Sequence, residues 1–212
     1  MNRIAFSIFV SVIILAMSMP GEARPRPYPK VPAQWYDSTC QVTSSGVVVG
    51  SGVCVAKDTI VTAAHVLVGS EIGVQYRIDS ERWNFHTVEI GKVDAVHDAA
   101  VLHVKFCKLR VAPLGKDTPT WGEPVVIVGC PQRHEPLPFV GHWGEYVPPW
   151  VENFRPGLRT ITAPNWVGSS GAPVWDLNER AIVGITSCKD SQFDHLTYIV
   201  PIQIIKGLLD SK

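Results

Sequence analysis

The feature that most constrains this chain is a long series of short β-branched runs, which starts near Gln41 and continues almost to the last residues. Turn-forming sequences such as Gly-Ser, Lys-Asp and Asn-Glu-Arg separate many of these runs. Many short strands at nearly regular spacing favour a β-sandwich or β-barrel over alternating strands and helices. A helical period first appears at residues 202–209, which predicts a short terminal helix. The predicted strands are residues 47–49, 53–55, 59–62, 74–78, 87–90, 100–104, 125–128, 158–162, 172–175, 181–185 and 196–200.

The charges of the chain balance, because 19 Lys and Arg residues stand against 19 Asp and Glu residues. There is no positive excess to bind nucleic acid or an anionic membrane surface, so no nucleic-acid partner is expected. With 46% hydrophobic residues, the chain also differs from disordered proteins, which are polar and strongly charged. Its 212 residues suffice for one large domain or two small ones with a real core.

The first 23 residues have the composition of a secretory signal peptide. Arg3 supplies the positive start, an apolar run covers residues 4–17, and Gly21 and Ala23 provide the small residues that a signal peptidase reads. The apolar run is shorter than the roughly 20 residues of a membrane-spanning helix. We therefore expect cleavage after Ala23 and a secreted or periplasmic protein. The alternative is an uncleaved segment that attaches the protein to a membrane through residues 4–19.

Prolines dominate the segment that follows, with four of them between residues 25 and 32. Because proline excludes helix and favours extended polyproline structure, residues 24–39 are predicted to form an arm ahead of the folded domain. Residues 143–156 contain three prolines and two tryptophans, and they are predicted to form a long surface loop.

Three short motifs carry residues that can do chemistry. His65 follows a β-run and two alanines, Asp98 opens an apolar run, and Ser170 lies in a Gly-Ser-Ser-Gly turn. Taken singly, each is typical of ordinary structure: a packed histidine, a strand-entry aspartate and a loop. The glycines around Ser170, however, allow a tight backbone that exposes its hydroxyl and points successive N–H groups at one place.

Together the motifs stand in the order His, Asp, Ser within a β-rich chain. In this the sequence resembles the chymotrypsin-like serine peptidase family, and most closely its HtrA-like bacterial members, because other triad folds use other orders. The resemblance covers about residues 42–209. It implies an all-β domain, residues 40–212, of two packed six-stranded antiparallel β-barrels (40–118 and 119–212) with a short C-terminal helix. The supporting segments are residues 50–52, 98–102, 128–131, 168–174, 183–185 and 198–202.

The resemblance also implies a role for each motif. Ser170 would be the nucleophile, His65 the base that takes its proton and returns it to the leaving amine, and Asp98 the residue that orients the imidazole. The N–H groups of Gly168 and Ser170 would form the oxyanion hole. Asp94 is a nearby alternative for the acid, but the Asp-Ala-Ala-Val-Leu motif starts at Asp98.

By the same resemblance, the primary substrate pocket is walled by Pro164 and Asn165 on one side and by Thr186, Ser187 and Lys189 on the other. Pro164 stands where trypsins carry the aspartate that binds Lys or Arg, and Thr186 stands where glutamyl endopeptidases carry a histidine. We therefore expect neither specificity and favour a small or medium apolar residue. Lys189 could attract an acidic side chain, but a solvated lysine is the simpler interpretation.

Several features depart from the family. Val66 follows the histidine where animal trypsins have a half-cystine, and Ser169 and Ala172 replace the residues that are usual beside the nucleophile. None of these changes removes a catalytic group. No PDZ-like segment follows residue 209, so an HtrA-style regulated cage is not expected.

No cofactor or metal is expected. The seven histidines lack the spacing of a zinc site, and no Cys-x-x-Cys motif is present. Five cysteines cannot all pair within one chain, and the sequence does not decide which of them form a disulfide after export. They are Cys40, Cys54, Cys107, Cys130 and Cys188.

The sequence thus favours a secreted or periplasmic serine endopeptidase that acts on protein or peptide substrates, of unknown oligomeric state. Two alternatives stay open. A catalytically inert binding module could have the same fold, with Trp143 or Trp150 filling the cleft. An autoprocessing peptidase would cut only its own precursor, and the proline-rich arm is the hint for it.

Overall fold

The computed structural model describes residues 30–79, 82–144 and 146–211. The predicted signal peptide and the first part of the predicted arm, residues 24–29, lie outside the described residues. Within the described part, no helix is long and apolar enough to span a membrane.

The first half of the domain is an antiparallel sheet that curls on itself. Its strands are β1 (Thr39–Ser44), β2 (Val47–Ala56), β3 (Thr59–Thr62), β4 (Ile72–Arg77), β5 (Trp83–Thr87), β6 (Glu89–Asp94) and β7 (Ala99–His103). They pair in the order β5-β4-β1-β2-β3-β7-β6. Only Val88 separates the end strands β5 and β6, so the chain itself joins the two edges. The predicted six strands are obtained when β5 and β6 are counted as one bent strand, which pairs with β4 before the bend and with β7 after it. Counted as separate strands, the seven form a curled sheet where a closed barrel was predicted.

The second half is the predicted closed barrel of six antiparallel strands, which pair in the order β10-β13-β12-β11-β8-β9. These strands are β8 (Pro124–Gly129), β9 (Leu137–Gly144), β10 (Arg159–Ile161), β11 (Pro173–Asp176), β12 (Ile182–Lys189) and β13 (Thr197–Pro201). The all-β architecture expected from the strand pattern is therefore confirmed.

Strand β8 explains why some predicted strands are continuous apolar runs. Val125 and Ile127 pack with Trp143 in a cluster that only the closed barrel supplies. Val126 and Val128 belong to a different cluster, to which both halves contribute, and which includes Val53 of β2. Both faces of the strand are thus buried, so the alternation of polar and apolar residues seen in half-exposed sheets is lost.

A short helix, α1 (Ala33–Tyr36), changes the predicted extent of the arm, residues 24–39. Trp35 is 1% exposed and stacks on Trp175 of β11, with ring centroids 4.6 Å apart. The prolines that favour an extended arm end at Pro32, so the tryptophan beyond them can turn onto the domain and bury its large apolar surface. The folded domain therefore includes α1.

The predicted terminal helix is confirmed as α3 (Ile202–Asp210). Ile202 and Ile205 lie on its buried side and join the cluster between the two halves. Two short 3-10 turns, Ala64–Val66 and Pro131–Arg133, connect strands within the halves.

The segment predicted as a long surface loop, residues 143–156, is more ordered than its composition indicates. Trp143 belongs to β9 and is 2% exposed inside the closed barrel. Helix α2 (Pro149–Phe154) begins with a proline, which suits a first helical position because no N–H is needed there. Among the described residues of the segment, those outside β9 and α2 are 146–148 and 155–156.

Candidate active site

His65 lies in the 3-10 turn that follows β3. Ala63 and Val66 are buried beside it, which fixes the turn against the first sheet. The imidazole itself is 36% exposed. The backbone N–H of His65 donates to Asp98 Oδ1 at 2.9 Å, so one carboxylate orients both the backbone and the ring.

Asp98 occupies the turn between β6 and β7 with a φ of +62°, a conformation that aspartate tolerates better than most residues. It is 1% exposed. His65 Nδ1 lies 2.8 Å from Oδ2 and 3.0 Å from Oδ1 of this carboxylate. Because an ionised carboxylate only accepts hydrogen bonds, Nδ1 carries the proton, and Nε2 is the basic nitrogen of the neutral ring.

Asp94, the alternative acid, has other partners. Its Oδ1 accepts hydrogen bonds from the backbone N–H groups of Val96 and His97, and its Oδ2 lies 2.6 Å from Nδ1 of His97. Because these contacts stay within its own turn, Asp94 does not orient His65.

Two further donors bind Asp98, and sequence reasoning identified neither in that role. Ser187 Oγ donates to Asp98 Oδ2. Arg155 Nη1 lies 2.6 Å from the same oxygen and 2.6 Å from Ser187 Oγ. Burial alone would raise the pKa of Asp98, but hydrogen bonds from His65 and Ser187 outweigh burial and lower the pKa. The carboxylate therefore stays ionised at neutral pH.

Ser170 lies in a turn that glycine makes possible. Gly168 and Gly171 have φ angles of +97° and +83°. A Cβ on Gly171 would lie 2.2 Å from the carbonyl oxygen of Ser51, so a larger residue would displace the backbone. Ser51 of β2 fastens the turn, because its Oγ donates to the Gly168 carbonyl at 2.7 Å and its N–H donates to the Ser170 carbonyl at 2.7 Å.

The backbone N–H groups of Gly168 and Ser170 find no acceptor among the residues that the structure describes. The intervening N–H of Ser169, in contrast, donates to the carbonyl of Trp166 at 2.9 Å. Two unused donors beside a serine hydroxyl make a place where a negatively charged oxygen can bind.

Ser187 links the serine turn to the carboxylate. The Ser170 hydroxyl donates to the Ser187 carbonyl at 3.2 Å, while the Ser187 hydroxyl donates to Asp98. Within the described part of the chain, no hydrogen bond joins Ser170 to His65 directly. The three predicted residues thus belong to one hydrogen-bonded cluster, in which the described atoms show no hydrogen bond between the imidazole and the Ser170 hydroxyl. In unliganded sites such a contact is often long and tightens only with substrate.

Comparison with known proteins identifies the family. A model of the trypsin-like peptidase domain matches residues 50–185, which is more than half of the chain. The chain belongs to this family. No curated protein matches it by sequence.

Solved structures share the fold of this trypsin-like domain. The Rv3671c protease from M. tuberculosis, in an inactive mutant form, has a TM-score of 0.70 and 21% identity over 84% of this chain and 87% of that one. The active form of the same protease has a TM-score of 0.69 and 20% identity, over 84% and 81% of the two chains. The serine endoprotease from Yersinia pestis has a TM-score of 0.69 and 19% identity, over 85% and 66%. The structural similarity establishes the chymotrypsin-like fold. Because the sequence identity is low, the activity has to be argued from the site.

Two residues predicted to wall the pocket of the trypsin-like domain have partners of their own. Thr186 Oγ1 donates to the Ser169 carbonyl at 2.5 Å and accepts from the N–H of Ala172 at 3.1 Å, so Thr186 supports the serine turn. Lys189 pairs with Asp194 on the surface at 3.0 Å. An exposed pair of this kind contributes little to stability, but it offsets the charge of the lysine.

On the opposite wall, Pro164 is half-buried, and Asn165 is buried with its Oδ1 unpartnered among the described residues. A cavity of about 530 Å³ lies elsewhere, on the first sheet between Phe85 and Lys105. It contains none of the predicted site residues. We therefore locate the site by its side-chain chemistry and not by cavity size.

All five cysteines of the trypsin-like domain are free thiols. A hydrogen bond between Cys54 and Cys107 is the main reason that the pKa of Cys107 is lowered to about 7 and that of Cys54 is raised. Burial raises the pKa of Cys188, so the thiol next to Ser187 stays protonated and is a poor nucleophile. In the described ranges, no three His, Cys, Asp or Glu side chains are placed to hold a metal ion.

Proposed function

We propose that this trypsin-like domain is a serine endopeptidase that hydrolyses peptide bonds through His65, Asp98 and Ser170. The observation that carries the proposal is the clamp on His65, by which we mean the contacts of the Asp98 carboxylate with the backbone N–H and the ring of this histidine. Its Nδ1 lies 2.8 Å from a buried, ionised carboxylate, and the same cluster includes a serine held in a glycine-bounded turn. A hydroxyl alone is a weak nucleophile, so the reaction needs the base that this clamp prepares.

Each of the three residues has one task in the proposed reaction. Nε2 of His65 takes the proton of Ser170 as Oγ attacks the peptide carbonyl, and then gives that proton to the leaving amine. The acyl-enzyme is hydrolysed by water, whose proton passes to the same nitrogen and then back to Ser170. Asp98 stabilises the imidazolium at each stage, because its lowered pKa keeps it charged.

The proposed oxyanion hole consists of the N–H groups of Gly168 and Ser170, which have no acceptor within the described residues. Both donors are held in place by Ser51, so they need no reorganisation when the carbonyl oxygen becomes negative. One such donor is typically worth a factor on the order of 10²–10³ in turnover.

For specificity, we propose a small or medium apolar residue on the acyl side of the cleaved bond. Pro164 carries no charge to bind a basic side chain, and Lys189 already pairs with Asp194. Export by cleavage after Ala23 belongs to the same proposal. It is tested by the mass of the N terminus of the protein purified from its secreting host.

The test of the activity uses a fluorophosphonate probe, which reacts only with activated serines, together with cleavage of casein or a peptide library. Wild-type protein should label once, and peptide mapping should place the label on Ser170. Ser170→Ala should abolish both labelling and cleavage, and Ser211→Ala, which alters an exposed serine outside the site, should retain both. Wild-type protein that neither labels nor cleaves would remove the proposal.

One observation favours a second candidate, a catalytically inert binding module. The Ser170 hydroxyl donates to the Ser187 carbonyl and not to His65. Folded wild-type protein that stays unlabelled at every pH, while binding peptides with unchanged affinity in the Ser170→Ala form, would support this candidate instead.

A further inference from the structure

Arg155 places a positive charge directly on the carboxylate of the site. Its Nη1 lies 2.6 Å from Asp98 Oδ2, and the same nitrogen is 2.6 Å from Ser187 Oγ. The Arg155 side chain is 17% exposed and its guanidinium lies 5.5 Å from the ring centre of Phe154. Ser187 already provides a neutral donor to the same carboxylate oxygen, so the charge of Arg155 is additional to it.

The position of this charge matters because Asp98 Oδ2 is shared. His65 Nδ1 lies 2.8 Å from the oxygen that Arg155 Nη1 contacts at 2.6 Å, so these two nitrogens are no more than about 5.4 Å apart. A buried carboxylate next to a neutral donor favours a charged imidazole. The same carboxylate, neutralised by Arg155, favours it much less, because the imidazolium then adds a second positive charge to the cluster.

The other charged or titratable groups around the cluster do not cancel this effect. On the β6–β7 turn, Asp94 pairs with His97. On the α2 side, Glu152 Oε1 accepts from the backbone N–H of Gly157 at 3.1 Å. The groups contributed by β12 and the residues after it are Cys188, whose thiol stays protonated, and Asp190, which accepts from Tyr198 and from two backbone N–H groups.

We propose that Arg155 is a positioning residue that sets the charge balance of the Asp98–His65 pair and keeps the imidazole neutral to lower pH than an Asp–His pair alone would allow. The inference rests on the proposed peptidase function, since only a neutral His65 can act as the base. It predicts a peptidase whose activity extends into mildly acidic conditions.

The size of the effect follows from distance. A unit charge about 5 Å away, at an effective dielectric constant of about 20, shifts a proton equilibrium by about 2.4 pH units. Removing the charge should therefore move the acidic limb of the activity profile upward by about that amount. The kcat/KM value above this limb should change less. The reason is that removing the positive charge also stabilises the imidazolium that forms during the reaction.

The test compares Arg155→Gln, which removes the charge, with Arg155→Lys, which retains it. Arg159→Gln is the matched control, because it removes the same charge from a nearby arginine whose Nη1 donates to the Leu158 carbonyl. Arg155→Met, whose straight side chain can still pack on Phe154, replaces the glutamine variant if that variant does not fold. The dependence of kcat/KM on pH is measured for each protein with one peptide substrate.

We expect the acidic limb to move up by at least about one pH unit in Arg155→Gln or Arg155→Met, and to stay near its wild-type position in Arg155→Lys and Arg159→Gln. A limb that stays in place when the charge is removed overturns the inference. So does an equal displacement in the lysine variant, because geometry and not charge would then be responsible.

A second readout separates this inference from the proposed function. Proton titration of the His65 ring is followed by NMR of histidine-labelled protein in the Ser170→Ala background, where no turnover occurs. The His65 signal is assigned by its loss in His65→Gln. If wild-type protein proves inactive, the proposed function fails, while the titration still decides the role of Arg155.

Discussion

Replacing Gly171 with alanine should both destabilise the fold and disturb the proposed nucleophile turn. Gly171 has a φ of +83°, and an added Cβ would lie 2.2 Å from the carbonyl oxygen of Ser51 and 2.4 Å from Oγ1 of Thr62. The third close atom is the backbone nitrogen of Ala63, at 2.8 Å. All three neighbours are fully buried in or beside β2 and β3, so none can swing aside as an exposed side chain could.

The chain contains a matched control for this substitution. Gly122 also has a φ of +83°, but nothing lies within 4 Å of its added Cβ. The left-handed backbone costs an alanine about 1–2 kcal/mol, so Gly122→Ala should lose about that much free energy of unfolding. Gly171→Ala adds a steric overlap, and overpacking a core costs typically about 1–3 kcal/mol more. We therefore expect a loss of about 2–5 kcal/mol for Gly171→Ala.

Urea unfolding followed by tryptophan fluorescence measures the first effect, and the rate of fluorophosphonate labelling measures the second. Gly171 follows Ser170 directly in the chain, and its N–H donates to the Thr186 carbonyl at 2.7 Å. Moving Gly171 therefore also moves Ser170. A displacement of about 1 Å can reduce a rate by on the order of 100-fold. If Gly171→Ala is as stable as Gly122→Ala and labels at the wild-type rate, the steric reasoning is wrong.

Three further predictions concern stability, pH and thiol reactivity. Trp35→Ala should lose about 3–5 kcal/mol of unfolding free energy in urea, whereas Trp121→Ala, at a 76% exposed position, should lose little; equal losses would contradict the docking of α1. The pKa of Asp98 lies below its unfolded value of about 3.9, so its stabilisation is complete above that pH and is lost as the pH falls through the lower, folded pKa. As the pH falls from about 5 to about 2, the unfolding free energy of Asp98→Asn should therefore fall less than that of wild type. An equal fall in both proteins would count against this. At pH 7.5, iodoacetamide should modify Cys107, with its pKa of about 7, before Cys54, as read by peptide mapping; the reverse order would refute the assigned pKa difference.

Local patterns were enough to predict much of the fold. The β8 run could be read from four consecutive β-branched residues, and the terminal helix from the spacing of apolar residues in 202–209. The positions of His65 and Ser170 could be read because each lies within a few residues of the alanines or glycines that shape its turn. In these segments the physical cause of the structure is contained in the segment itself.

The parts that could not be predicted depend on contacts between distant residues. Arg155 reaches Asp98 across 57 positions and Ser187 reaches it across 89, and no local pattern marks either residue as its partner. The prolines before Trp35 dominate the local composition and predict an extended arm, while its stacking partner Trp175 lies far along the chain. Thr186 is predicted as a wall of the pocket from its position alone, and no local pattern shows that its hydroxyl also supports the serine turn.

The buried carboxylate of Asp98 is the point at which the chemistry of the two halves meets. His65 and Asp98 come from the first half, while Ser170, Ser187 and Arg155 come from the second. A buried charge is stable only when it is fully hydrogen-bonded, and losing a partner typically costs about 3–5 kcal/mol. Asp98 can therefore be buried as a carboxylate only while the second half supplies the Ser187 and Arg155 donors, and the same docking brings the serine turn into this hydrogen-bonded cluster. Formation of the site and packing of the halves are one event, so substitutions that loosen the shared apolar cluster should reduce activity without touching any residue of the site.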